Sequence, residues 1–76
     1  MRELVEFLAR SLVEEPEHVR VNEVRRENAI VLELSVAPGD LGKVIGRQGR
    51  TARAIRTFLS AASSRGSRRY ILDILD

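Results

Sequence analysis

The chain has 76 residues, 43% of them hydrophobic, with 13 Lys and Arg against 11 Asp and Glu and no cysteine. That is one domain's length, enough for a single small core with a thin stability margin, which pairing with a second chain would widen. Disulfides and thiolate metal sites are excluded. No apolar run approaches the roughly 20 residues that span a bilayer, and no signal-peptide core follows Met1, so a soluble cytoplasmic protein is expected.

Residues Glu3 to Glu14 predict an amphipathic helix. Leu4, Phe7 or Leu8, and Leu12 recur at helical spacing beside Val5, Ala9 and Val13, with Glu3, Glu6, Arg10 and Glu14 largely opposite. Pro16 is expected to end it, because a residue before proline is pushed out of the helical region. His18 to Arg25 predicts a strand in which Val19 and Val21 alternate with polar neighbours. Val24 breaks the phase, which a bulge or an early strand end would explain. Arg26-Glu27-Asn28 is a polar turn. Ala29 to Val36 is the clearest strand, with Ile30, Leu32, Leu34 and Val36 on one face and Val31, Glu33 and Ser35 on the other. Two strands so joined predict an antiparallel hairpin.

Pro38-Gly39 turns the chain, and Asp40 is expected to cap the next helix by accepting a backbone N–H bond. That helix, Leu41 to Ile45, is short because Gly46 and Gly49 follow. Arg50 to Ser63 predicts a longer one, with an apolar stripe of Ala52, Ile55, Leu59 and Ala62, Phe58 alongside, and a basic row of Arg50, Arg53 and Arg56. Ser63 to Ser67 reads as a loop, and Arg69 to Leu75 as the last strand. The order α-β-β-α-α-β predicts a single α+β domain over residues 1–76, a three-stranded sheet packed against helices.

The net charge of +2 conceals an asymmetry. Residues 1–40 carry five Arg and nine acids, whereas residues 41–76 carry seven Arg, Lys43 and two acids. Between Asp40 and Asp73 there is no acid, and Lys43, Arg47, Arg50, Arg53, Arg56, Arg65, Arg68 and Arg69 fall in that window. Such a one-signed field attracts a polyanion. Within it lies Val44-Ile45-Gly46-Arg47-Gln48-Gly49-Arg50. Two glycines three apart between helices make a tight turn with exposed main chain. The helix that follows presents unpaired N–H groups and a partial positive charge, a geometry suited to phosphate oxygens. Arg47 and Arg50 add charge-assisted bonds, and Gln48 a donor to sugar or phosphate. A Gly-x-x-Gly spacing alone is common. Its position between strand, short helix, basic helix and strand gives it weight.

This stretch resembles the signature of the KH domain, Val44-Ile45-Gly46-Arg47-Gln48-Gly49 followed by Ile55, whose GXXG loop clamps about four backbone nucleotides. The element order is similar to the type II, prokaryotic arrangement. Over essentially all 76 residues the chain resembles the KhpA family of small bacterial single-KH-domain proteins, most specifically from Val36 to Ala52. The resemblance implies a type II KH fold and a cytoplasmic protein that binds single-stranded RNA, acts as an RNA chaperone or post-transcriptional regulator, and pairs with itself or with a KhpB-type protein. No cofactor or membrane is implied. By position, Gly46 and Gly49 would form the clamp with Arg47 and Gln48 at its tip. Val44, Ile45 and Ile55, with strand 32–36, would line the groove under the bases, and Lys43, Arg50 and Arg53 would supply charge. Ala52 stands where many KH domains carry a larger aliphatic residue. With one tyrosine and no tryptophan to stack on bases, modest sequence specificity is expected.

His18, the only histidine, and the acids Glu14, Glu15 and Glu17 read as solvated surface. No nucleophile–base set or phosphate-loop Lys-Ser/Thr pair is present, so an enzyme is not expected. Two rivals stay open: a helix-turn-helix DNA binder over residues 40–63, and a KH module used mainly for protein pairing.

Overall fold

The computed structural model describes residues 1–63 and 68–76. Helix α1 (Arg2–Leu12) buries Val5 and Ala9, one turn apart on the face toward the sheet, whereas of the expected stripe Leu4 and Leu8 are half-buried and Phe7 and Leu12 are exposed. Strands β1 (Arg20–Arg25) and β2 (Ala29–Ser35) form the expected antiparallel hairpin, from Arg20 opposite Ser35 to Arg25 opposite Ile30. A short helix α2 (Leu41–Ile45), the glycine turn and helix α3 (Arg50–Ser63) then lead to β3 (Arg69–Ile74). Strand β3 lies parallel to β2, so β2 is central.

The core forms where the helices meet one face of this mixed sheet. Leu32, Leu34, Val19 and Val44 are fully excluded from solvent, joined by Val5, Ala9, Val21, Ile55, Leu59 and Leu72. The order α-β-β-α-α-β and the α+β class stand as expected.

Three local expectations need correction. First, α1 ends at Leu12, before Glu14 and well before Pro16: Val13 is extended, and the chain passes into a single 3-10 turn at Pro16–His18. The reason is tertiary, because the amides of Glu14 and Glu15 are taken by Asp40. Second, β1 starts at Arg20 and carries no bulge, its register being unbroken through Val24. Val24 simply faces the opposite side from Val21, in a row with Val31 and Ile71 across the sheet. Third, the Asp40 side chain makes no capping bond to α2. The expected loop at Ser63 to Ser67 begins at the end of α3 but otherwise lies outside the described residues.

Candidate nucleic-acid interface

Gly46 closes α2, donating its N–H to the Gly42 carbonyl at 2.8 Å, and then takes φ 81°, ψ 168°. That region of backbone space is essentially reserved for glycine. Space enforces the same choice: a β-carbon on Gly46 would stand 2.7 Å from the backbone N of Thr51. The turn is closed by the Gly49 N–H donating to the Gly46 carbonyl at 3.0 Å, with Gln48 left-handed at φ 57° and Gly49 at φ 76°. Among the described residues, the N–H groups of Arg47 and Gln48 have no main-chain acceptor. Both residues are exposed, at the entrance to a 14-residue helix whose dipole points its positive end at them.

The basic side chains divide by what they already hold. Arg50 and Arg53, one turn apart, flank a shallow cleft with Ala54 and Thr57. Arg53 Nη2 reaches the Gln48 carbonyl at 3.5 Å, a long contact that leans on the left-handed residue. Arg56 Nη2 reaches the Leu72 carbonyl at 3.4 Å and so faces the edge of β3. Lys43 turns back from the loop: its Nζ lies 3.5 Å from Asp40 Oδ1 and 3.7 Å from Glu14 Oε1. Arg47 stands exposed at the tip.

Of the apolar candidates, Val44 is fully buried and Ile55 nearly so, both in the core, while Ile45 is half-buried. Val44 and Ile55 therefore support the floor from beneath, and Ile45 alone of the three keeps appreciable surface. A separate apolar groove of about 320 Å³ runs between α1 and α3, lined by Leu8, Leu12, Ala54, Ile55 and Phe58 with Ser11 and Thr51. Phe58 is 42% exposed. Its position beside the α3 stripe, not within it, was the available signal.

Asp40 is the one buried charged residue among those described. Burial alone would push its carboxyl up. The N–H bonds from Glu14 and Glu15, then the hydrogen bond and charge of Lys43, outweigh that and hold it below the ordinary value of 3.8. Glu15, Glu17 and His18 come together at the surface, His18 Nδ1 lying 3.4 Å from Glu15 Oε1, and all three are exposed. Among the described residues no helix is long and apolar enough to cross a membrane.

A hairpin followed by a short helix, a glycine-bounded turn, a long helix and a parallel third strand is the build of a KH domain. The family model described as KhpA/KhpB, KH domain, matches residues 2–74. The RNA-binding protein KhpA of Clostridium perfringens is 53% identical over 75 residues, covering 99% of this chain and all of that protein. The KhpA proteins of Halalkalibacterium halodurans and Aquifex aeolicus are 50% and 46% identical over 76 residues, covering all of this chain and 100% and 96% of theirs. The chain belongs to the KhpA/KhpB KH-domain family, which is not a family of enzymes. No solved structure matches it.

Proposed function

We propose that residues 1–76 form a single module that binds single-stranded RNA by holding its sugar-phosphate backbone against the Gly46–Gly49 turn. One observation carries this reading: among the described residues, the main-chain N–H groups of Arg47 and Gln48, both exposed residues, lie without main-chain acceptors at the positive end of α3. Phosphate oxygens supply what those donors lack. Arg47 and Arg50 add charge at the tip, Gln48 donates to sugar or phosphate, and Arg53 flanks the cleft beside them. Ile45, half-buried, offers the apolar surface, with Val44 and Ile55 behind it. Lys43 contributes to the field and is held by its own acids. The names of the KhpA relatives support RNA as the ligand.

Replacing both Arg47 and Gln48 with Asp should leave the circular dichroism spectrum and melting transition in place while abolishing binding to single-stranded RNA. Unchanged affinity would refute the reading. A helix-turn-helix reading has less support, since α2 has only five residues and the two helices sit between β2 and β3. Titration with matched single-stranded and duplex oligonucleotides decides it, preference for duplex DNA favouring the rival.

Pairing is a second role with an observation of its own. The groove between α1 and α3 and the exposed faces of Phe58 and Leu12 support self-association, or association with a KhpB-type protein. Substituting Phe58 with Arg should shift light scattering toward monomer without unfolding the chain. We place the module in the cytoplasm as an RNA chaperone or regulator. Crosslinking in cells followed by sequencing of the captured RNA tests that placement.

A further inference from the structure

We propose that Asp40 is a positioning residue for the RNA-binding turn, clamping the start of α2 to the chain that leaves α1 and so fixing how residues 46–49 are presented. The inference rests on the RNA-binding reading above and adds to it a residue that touches no RNA.

Helix α2 has five residues, too few to hold itself in water, so its direction must come from what it packs against. Inward, Val44 anchors it in the core. At its N-terminal end the anchor is Asp40, only 3% exposed, with each carboxylate oxygen assigned to a different partner. Oδ1 accepts the Glu14 N–H at 3.2 Å and Oδ2 accepts the Glu15 N–H at 3.0 Å. Two bonds to successive amides fix the orientation of the carboxylate as well as its distance, as a single bond would not. Lys43 Nζ then bridges Asp40 and Glu14 from within α2 itself. The Gly42 carbonyl, one residue before that lysine, accepts the N–H of Gly46. Asp40 is thus tied to the first glycine of the turn by one short helix whose two ends are both pinned. Any tilt of α2 at Asp40 is delivered to the turn.

The neutral, nearly isosteric variant Asp40→Asn loses one acceptor and the charge that Lys43 meets. With this variant folded, affinity for a short mixed-sequence single-stranded RNA should fall on the order of tenfold, within the roughly 5- to 150-fold range typical of coupling between linked sites. Its dependence on salt should be no shallower than the wild type's, because no phosphate contact is removed and Lys43 keeps only Glu14 as a partner, and amide resonances of residues 46–49 should move in the free protein. A folded variant with wild-type affinity, or with those resonances unmoved, overturns the proposal.

If Asp40→Asn does not fold, the wild-type protein supplies the decision. A clamp that sets the turn must in turn be tightened by RNA, since coupling is reciprocal. Hydrogen exchange at the Glu14 and Glu15 amides should slow severalfold on saturation with RNA. Unchanged exchange there overturns the proposal. Failure of the wild type to bind RNA at all would remove the functional reading and this inference with it, whereas binding with no response at Asp40 removes this inference alone.

Discussion

The two glycines of the turn are required for different reasons, and substitution separates them. Gly49 needs a positive φ but has open space around its missing β-carbon. Gly49→Ala therefore carries only the left-handed penalty of roughly 1–2 kcal/mol. Gly46 has the rarer conformation and Thr51 packed against it, so Gly46→Ala must also displace the start of α3. Chemical denaturation should show a larger stability loss for Gly46→Ala than for Gly49→Ala, and RNA affinity should follow the same order. Equal losses would mean that Thr51 yields freely. The glycine pair was readable in the sequence because a positive φ and a residue type are linked by sterics. Asp40 was not. A carboxylate next to a helix start reads as a local cap, and nothing in the residue string reveals that two amides 25 and 26 positions earlier lie closer to hand.

Elements announced themselves through periodicity, and their ends did not. Of the predicted stripe in α3, Ala52, Ile55 and Leu59 are buried and Ala62 half-buried, and of the predicted face of β2, Ile30, Leu32 and Leu34 are buried and Val36, past the strand's end, half-buried, because burial on one face is what the pattern encodes. The end of α1 depends on a contact between segments, and so escaped. That contact also has a pH signature. Its folded-state pKa being lowered, the Asp40 clamp contributes stability that is complete above the unfolded value of about 3.8 and is lost as pH falls through the lower folded value. The stability gap between the wild type and Asp40→Asn should stay level from neutral pH to about pH 5 and close only below the ordinary carboxylate range. A gap that closes near neutrality would point to a different group. In α3, Leu59→Ala removes a side chain that is 1% exposed and should cost about 2–5 kcal/mol, a large part of what a domain this small has.

Across the whole molecule, the asymmetry of charge was plain from the sequence, but its division of labour was not. Eight cations lie between Asp40 and Asp73. Of these, Lys43 is held by Glu14 and Asp40, and Arg56 is turned to the edge of β3. The acids of the N-terminal half thus fold back to quench part of the field, which a count along the chain cannot register. Two pictures of RNA binding follow, and salt distinguishes them. If all eight cations engaged phosphate, single-stranded binding would show a slope of log affinity against log salt of about −5 to −6. A clamp over three or four phosphates, centred on the Gly46–Gly49 turn with Arg47, Arg50 and Arg53, gives about −2 to −3. Raising salt fourfold should then weaken binding by about 20- to 50-fold, far short of the thousandfold or more expected of diffuse adhesion. Arg47→Ala should flatten the slope by nearly one phosphate's worth, while Lys43→Met should leave it close to wild type because its charge is already met. A steep slope that drops with Lys43→Met as much as with Arg47→Ala would show that the turn is no clamp, and that the basic half of the molecule holds RNA by charge alone.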